Sequence, residues 1–253
     1  MNIVIPMAGR GSRLAGHPSG RPKPFIEVHG KPLWWWAASC LPLSSATRIV
    51  FVCLSEHFRD RTDRAHFEAL LPRETAEVIE IDDVTEGQLC TVMKAKHVLD
   101  QEQPLLVFNA DTWFEHDANR FESLRSSAAG VLGLAKQDGD QWSFAEVDGA
   151  GSVVRVVEKE RISEHACTGM YYFASTTGFL SDAETMIETG RTVRGEYYIS
   201  PIYDLMISRG EVVVGAHARS FMPIGTLSEL EEFEQYQTTR KVRSFVQPTK
   251  FRD

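Results

Sequence analysis

Glycines and cations are concentrated in the first two dozen residues of the chain. An apolar run at residues 3–7 is followed by Gly9 and Gly11, and glycines let the backbone approach an anion without interference from a Cβ atom. The N–H groups of such a turn can cradle phosphate oxygens. The segment therefore predicts a polyphosphate site, with an ordinary glycine-rich turn as the alternative. Its cations are Arg10, Arg13, Arg21 and Lys23.

Two common phosphate motifs do not account for this segment. A Walker A sequence, G-x-x-x-x-G-K-[ST], is absent, so the chain is not a P-loop protein. The dinucleotide fingerprint G-x-G-x-x-G fails because its third glycine is replaced by Leu14, which disfavours a Rossmann oxidoreductase.

The segment instead resembles the signature of the sugar-phosphate nucleotidyltransferases, also called nucleotide-sugar pyrophosphorylases. That family begins with a strand, then G-x-G-[ST]-R-L, then P-K-P, and the resemblance extends to about Phe233. The matching residues are Gly9, Gly11, Ser12, Arg13, Leu14, Pro22, Lys23 and Pro24.

A candidate metal ligand follows a second apolar run. Asp111 closely follows residues 104–109, which read as a buried strand, and Mg²⁺ prefers carboxylate and phosphate oxygens. A capping or turn aspartate is the alternative. The family keeps an aspartate in this position, so the resemblance supports Asp111 as the metal ligand.

The resemblance also implies a nucleotide site. Residues 85–88 would lie against the base and ribose, although by themselves they read equally as a helix start with Thr85 as N-cap. The implied nucleotide-binding residues are Met7, Ala8, Gly9, Gly11, Ser12, Arg13, Lys23, Gly87, Gln88 and Asn109.

On the acceptor side, three segments resemble those of the family: V-V-E-K, C-T-G-M-Y and G-E-Y-Y-I-S. Two residues depart from it. Cys167 stands where an asparagine is usual, and Pro223 stands where a second metal-binding aspartate is usual, so Glu196 is an alternative ligand. The implied acceptor-binding residues are Glu158, Lys159, Thr168, Gly169, Glu196 and Tyr198.

The implied reaction is attack of a sugar-1-phosphate on the α-phosphorus of a nucleoside triphosphate, with Mg²⁺ as cofactor. Arg13, Lys23 and Asp111 would be catalytic, and the product would supply capsule or surface polysaccharides. One alternative is a cytidylyltransferase that acts on phosphocholine or another phosphorylated alcohol. Another is a nucleotide-binding regulatory homologue that has lost turnover. The base, the acceptor and the oligomeric state stay open.

The alternation of elements predicts an α/β protein with a doubly wound, mainly parallel sheet of the Rossmann-like nucleotidyltransferase type. A small antiparallel subdomain is expected on the substrate side. Residues 1–240 would form one domain, with a nucleotide half at about 1–135, an acceptor half at about 136–240 and a tail at 241–253. Strands are predicted at 48–54, 77–81, 104–109, 142–147, 153–158, 168–173 and 212–216, and helices at 57–71, 89–99, 176–189, 200–208 and 227–236.

Composition restricts the partners and the compartment. The 253 residues carry a formal net charge of −8, which argues against binding to nucleic acid or to acidic membranes. With neither a secretion signal nor a membrane span in the pattern, and with four scattered cysteines, a cytoplasmic protein with reduced thiols is expected. Trp34, Trp35 and Trp36 predict two buried indoles and one at the rim, or one in a subunit contact such as that of a homodimer.

Overall fold

The computed structural model describes residues 1–72 and 74–239. Within these residues a mixed sheet of nine strands forms the centre of the molecule, and its parallel part confirms the predicted doubly wound architecture. The predicted tail, residues 241–253, lies outside the described residues. The strands are β1 (Asn2–Pro6), β2 (Glu27–Val28), β3 (Lys31–Pro32), β4 (Arg48–Leu54), β5 (Ala76–Ile81), β6 (Leu105–Phe108), β7 (Thr112–Glu115), β8 (Gly130–Lys136), β9 (Ser143–Val147), β10 (Val153–Glu158), β11 (His165–Phe173), β12 (Val213–His217) and β13 (Ser220–Pro223).

Four parallel strands, in the order β6-β1-β4-β5, form one half of the sheet. Both faces of β1, β4 and β6 are covered, so these strands read as continuous apolar runs, whereas the edge strand β5 is only partly buried. In β1, Ile3 and Ile5 point into one core and Val4 into the other. The carboxyl ends of all four strands therefore meet at one edge of the sheet, as parallel pairing requires.

Helices cover both faces of the sheet. Side chains of α1, α2, α4 and α7 belong to the core on one face, and those of α3, α5 and α6 to the core on the other. The helices are α1 (Leu33–Ala38), α2 (Arg61–Leu70), α3 (Gln88–Met93), α4 (Ala118–Arg125), α5 (Thr176–Glu188), α6 (Ser200–Ser208) and α7 (Leu227–Thr239).

The predicted antiparallel strands continue the same sheet. β11 pairs antiparallel with β6, and β9 and β10 form the predicted hairpin beside it. β8 and β12, of which the first was not predicted, extend a branch from β11. A separate two-stranded sheet joins β7 to β13 and so brings the Pro223 segment next to Asp111.

Two predicted helices are shorter than expected. The helix predicted at 57–71 is a 3-10 turn at Ser55–Phe58 followed by α2, because Asp60 interrupts it and caps α2 by accepting from the amide of Thr62. The helix predicted at 89–99 is regular only as α3. It continues in turns whose amides bond three residues back, as at Ala95.

The prediction for the three tryptophans is wrong. Trp34, Trp35 and Trp36 are all buried, at 0%, 6% and 6% exposure. Helix α1 is enclosed on more than one side: Trp34 packs edge-on against Phe51 of the sheet, whereas Trp36 packs against Phe233 of α7. The chain itself therefore accommodates all three indoles, and none is left for a subunit contact.

The four cysteines all lie in the described residues, and three of them are buried as expected. Cys40, Cys53 and Cys167 are buried thiols, Cys90 is partly exposed, and all of them are free. In residues 1–72 and 74–239, no helix combines the length and the apolarity that crossing a bilayer would require.

Candidate functional site

A cleft of about 540 Å³ opens at the carboxyl ends of the parallel strands. Three loops line it: the one after β1, the one after β5 and the one after β6. Glu196 and Tyr198, from the loop before α6, close its far side. Of the predicted residues, the cleft is lined by Met7, Ala8, Gly9, Gly11, Ser12, Arg13, Lys23, Gly87, Gln88, Asn109, Asp111, Glu196 and Tyr198.

Two cations of the first loop converge on one carboxylate across the cleft. Lys23 Nζ donates to Asp111 Oδ2 at 2.7 Å, and Arg13 Nη2 lies 3.8 Å from the same oxygen. Burial by itself raises the pKa of Asp111, but the charges of Lys23 and Arg13 outweigh it and hold the pKa below the usual range. The Asp111 side chain keeps 29% of its surface exposed, so a ligand in the cleft can reach it.

The first loop takes this shape because of one glycine. Gly11 has φ of 61°, in the left-handed region, and a Cβ atom there would lie 2.7 Å from Lys23 Cβ. The turn at Gly11 and the segment that carries Lys23 therefore pack directly on each other. A side chain at position 11 would push the lysine away from the cleft.

Gly87 is required by close packing within the protein. Its φ is 142°, and a Cβ atom would lie 2.5 Å from the backbone nitrogen of Tyr197. Two backbone hydrogen bonds flank this contact, from Tyr197 to Glu86 at 2.9 Å and from Leu89 to Tyr197 at 3.1 Å. The loop after β5 is thus tied to the loop that carries Glu196 and Tyr198.

The predicted cap at Thr85 is wrong. Helix α3 begins at Gln88 with Gly87 as its N-cap. The Thr85 hydroxyl donates to the carbonyl of Gly87 and lies 2.6 Å from the hydroxyl of Thr91. Gln88 extends into the cleft and donates to Asn109 Oδ1. This contact joins the loop after β5 to the loop after β6.

Glu196, Tyr198 and Lys159 form one hydrogen-bonded group at the far side of the cleft. Lys159 Nζ donates to the hydroxyl of Tyr198, which in turn donates to Glu196. The Lys159 ammonium also lies 4.3 Å from the centre of the Tyr198 ring. Lys159 has φ of 55°, a strained conformation for a residue other than glycine, of the kind often found at functional sites.

Four predicted acceptor residues are not part of the cleft lining: Glu158, Lys159, Thr168 and Gly169. Gly169 packs against Asn109, whose Nδ2 would lie 2.5 Å from an added Cβ. The hydroxyl of Thr168 is buried and has no hydrogen-bond partner among the described residues. Cys167 is 5% exposed, so it offers a buried thiol where an amide was expected.

Glu158 has partners that the sequence did not reveal. Its Oε2 accepts hydrogen bonds from the hydroxyls of Ser143 and Ser200, the latter at 2.6 Å. Ser143 could have been found from the hairpin, whose register sets it opposite Glu158. Ser200 is the last residue of the G-E-Y-Y-I-S segment.

A second carboxylate near the cations was also missed. Glu229 accepts from the amide of Gly225 at 2.9 Å, and its own amide donates to the Thr226 hydroxyl at 3.3 Å, in the manner of a capping box at the start of α7. A Cβ atom at Gly225 would lie 3.3 Å from Arg13 Nη2 and 3.4 Å from Lys23 Nζ. The spacing of a threonine and a glutamate three residues later was the available signal.

The donor set fits a magnesium ion that is shared with phosphates. Mg²⁺ is usually held by one or two carboxylates together with substrate phosphate oxygens. Asp111 supplies one such carboxylate, whereas Pro223, paired with Thr112, has no ligand atom. Among the described residues no group of three or more histidine, cysteine, aspartate and glutamate side chains could form an all-protein metal site.

The chain is similar to proteins that are already known. A family model described as "Nucleotidyl transferase" matches residues 3–240. The crystal structure of a nucleoside-diphosphate-sugar pyrophosphorylase from Vibrio cholerae RC9 superposes with a TM-score of 0.78 at 28% identity, covering 92% of this chain and 99% of that chain.

Two curated relatives are 27% and 23% identical in sequence to this chain. The bifunctional protein GlmU of Cupriavidus taiwanensis is 27% identical over 96% of this chain but 54% of its own length. The glucose-1-phosphate thymidylyltransferase of Xanthomonas campestris pv. campestris is 23% identical over 96% of this chain and 83% of its own length. The chain thus spans about half the length of the GlmU protein that it matches.

Proposed function

This chain belongs to the nucleotidyl transferase family, and from that membership we propose that it joins a nucleoside triphosphate to a sugar-1-phosphate. The products would be a nucleoside-diphosphate sugar and pyrophosphate. The observation that carries the proposal is the convergence of Lys23 and Arg13 on Asp111 at the mouth of a cleft large enough for a nucleotide. Cations of this kind match a triphosphate, and the carboxylate matches its metal ion.

The proposed chemistry needs no side-chain nucleophile. A sugar-1-phosphate is ionised near neutral pH, so its oxygen can bond to the α-phosphorus while the bond to the β-phosphate oxygen breaks. Pyrophosphate leaves with that electron pair. Lys23 would neutralise the α-phosphate and Arg13 the β- and γ-phosphates, so that catalysis consists of alignment and charge neutralisation. Bound Mg²⁺, held by Asp111 and the phosphates, would neutralise further charge.

The acceptor would enter between Glu196 and Tyr198. Its phosphate would displace the Tyr198 hydroxyl from Lys159, since a phosphate is the stronger partner for an ammonium. Its hydroxyl groups would reach Glu158. We further propose that residues 1–240 act as one domain in the cytoplasm, with a product that supplies capsule or surface polysaccharides.

A second candidate acceptor is a phosphorylated alcohol such as phosphocholine, used with CTP. The buried Cys167 favours it, because a thiol is a weak partner for the hydroxyls of a hexose. A third possibility, a regulatory protein that binds nucleotide without turnover, follows from Pro223 and its lack of a ligand atom.

One experiment separates the three. The purified chain is incubated with each common nucleoside triphosphate, Mg²⁺ and a panel of sugar-1-phosphates and phosphorylated alcohols, and released pyrophosphate is measured. We expect release with a sugar-1-phosphate. Release only with a phosphorylated alcohol would replace the first proposal by the second. If calorimetry shows nucleotide binding but no pair of nucleotide and acceptor releases pyrophosphate, the regulatory role would remain.

A further inference from the structure

Glu158 is a buried carboxylate with two unequal oxygens. It ends β10 and is 9% exposed. Oε2 accepts hydrogen bonds from Ser143 and Ser200, whereas no hydrogen bond from any described residue reaches Oε1. Oε1 is not among the fully enclosed polar atoms that lack a partner, so it remains open to water or to a ligand that could satisfy it. The asymmetry therefore points to a ligand at Oε1.

The two serines come from separate parts of the fold. Ser143 begins β9 and pairs with Glu158 in the hairpin register, while Ser200 begins α6, a helix that packs against β10. Both side chains are buried, at 7% and 0% exposure. Two hydroxyls that meet one oxygen from different directions fix the plane of the carboxylate, and so fix where Oε1 points.

We propose that Ser143 and Ser200 are positioning residues for the acceptor: they hold Oε2 of Glu158 so that Oε1 accepts a hydrogen bond from an acceptor hydroxyl. The inference rests on the proposed function and deepens it. It makes acceptor selection depend on two serines, neither of which lines the cleft. The acceptor must then carry a hydrogen-bond donor at the point where it meets Oε1.

The ionisation of Glu158 links this arrangement to pH. Burial raises the pKa of Glu158, while the hydrogen bonds from Ser143 and Ser200 lower it. The other groups that face it are Lys159, Glu196, Cys167, Tyr171 and Tyr198. Loss of either serine hydroxyl must raise the pKa of Glu158 further. Oε1 would then accept from the acceptor only at higher pH, since protonation lowers its strength as an acceptor.

The test measures acceptor KM against pH for Ser143→Ala and Ser200→Ala, with the acceptor that the pyrophosphate panel identifies. We expect acceptor KM near neutral pH to rise by about tenfold or more, because a hydrogen bond to a charged group is lost. The pH midpoint of acceptor KM should move upward, and the KM for nucleotide should stay the same. Ser200→Thr keeps the hydroxyl and should restore the profile.

Tyr203→Phe is the matched control. It removes a buried hydroxyl from the same helix, one that donates to the carbonyl of Tyr172 at 2.9 Å and lies away from Glu158. We expect it to lower thermal stability and to leave the pH midpoint of acceptor KM in place. A shift as large as that of Ser200→Ala would make the serine effect merely structural and would overturn the proposal.

A second readout does not require turnover. The ¹³C-labelled carboxyl of Glu158, identified by its loss in Glu158→Gln, is titrated by NMR in each variant. An unchanged pKa in both serine variants overturns the proposal, as does a raised pKa without any change in acceptor KM. If the unaltered protein turns over no acceptor, the proposed function fails. Acceptor affinity by calorimetry, compared between the unaltered protein and Ser200→Ala, then decides the role of the serines.

Discussion

At the scale of single residues, three charged groups of the cleft are already paired with one another. Lys23 donates to Asp111, and Arg13 faces the same oxygen. A triphosphate with its metal ion offers a partner to each of these groups, so its binding exchanges one set of ion pairs for another. The lysine is held in the cleft by the turn at Gly11, which packs against its Cβ atom.

Lys23→Ala should lower turnover by about a hundredfold or more, because the charge that builds on the α-phosphate loses its partner. The protein should stay folded, since the lysine side chain is not part of either core. Turnover is measured by pyrophosphate release and folding by thermal unfolding. Lys96→Ala removes another paired lysine, 3.3 Å from Glu184, and should leave turnover unchanged. Near-normal turnover in Lys23→Ala would refute the role of Lys23.

Asp111→Asn should abolish the part of nucleotide affinity that depends on Mg²⁺. Lys23 and Arg13 hold the pKa of Asp111 below its usual range, so the carboxylate stays ionised at neutral and mildly acidic pH. The difference between the unaltered protein and Asp111→Asn should therefore be the same at about pH 6 and about pH 8. Calorimetry with Mg²⁺ and with a chelator measures it. Equal affinities with and without Mg²⁺ in the unaltered protein would contradict a metal site at Asp111.

At the scale of elements, the loop after β5 and the loop before α6 are connected through backbone hydrogen bonds. The loop after β5 carries Gly87 and Gln88, and it is hydrogen-bonded on both sides of Gly87 to Tyr197, which lies between Glu196 and Tyr198. A displacement of one loop must move the other. Resemblance alone assigned Gly87 to the base, but in the structure its missing Cβ makes room for Tyr197.

Gly87→Ala should weaken the binding of both substrates and so raise both KM values. It should also destabilise the fold by about 2–4 kcal/mol, because an added Cβ atom overpacks the site and the φ angle is strained for alanine. Both KM values and thermal unfolding are measured. Gly149→Ala is the control, because that glycine lies in a hairpin turn with no atom within 4 Å of an added Cβ. A rise in nucleotide KM alone would mean that Gly87 contacts only the base.

At the scale of the whole molecule, two cores lie on opposite faces of one sheet and enclose most of the thiols. Burial raises the pKa of Cys40 to about 12 and raises those of Cys53 and Cys167 as well. Thiolate is the reactive form, so these side chains are both inaccessible and protonated.

Cys90 should therefore be the thiol that reacts first with an aromatic disulfide reagent in the native protein. It is the cysteine with partial exposure. Cys90→Ser should remove the fast phase, and denaturant should release the remaining thiols. A fast phase that survives in Cys90→Ser would show that one of the buried cysteines is reached by local opening.

Local patterns predicted much of this molecule. The apolar runs of β4 and β6 correspond to parallel strands, because a strand covered on both faces must be apolar throughout. The first loop and Asp111 were chosen as candidate site residues because each comes shortly after such a strand. Gly11 and Lys23 lie close in sequence, so their proximity was also a local property.

Contacts between segments that are distant in the chain could not be predicted from the sequence. The pairing of β7 with β13 brings Pro223 beside Asp111, and the enclosure of α1 by the sheet and α7 buries three consecutive indoles. The hydrogen bonds from Ser143 and Ser200 to Glu158 depend on a hairpin register and on the docking of α6.

The amino-acid sequence alone determined the α/β class, the family and the loops that would hold a nucleotide, because these depend on residue types at short spacing. Tertiary structure decided which cations share the carboxylate of Asp111. It also decided that Gly87 leaves room for the backbone of Tyr197. It also decided which hydroxyls orient Glu158. Those relations arise from strand register and helix docking, which depend on the summed packing of residues far apart in the chain.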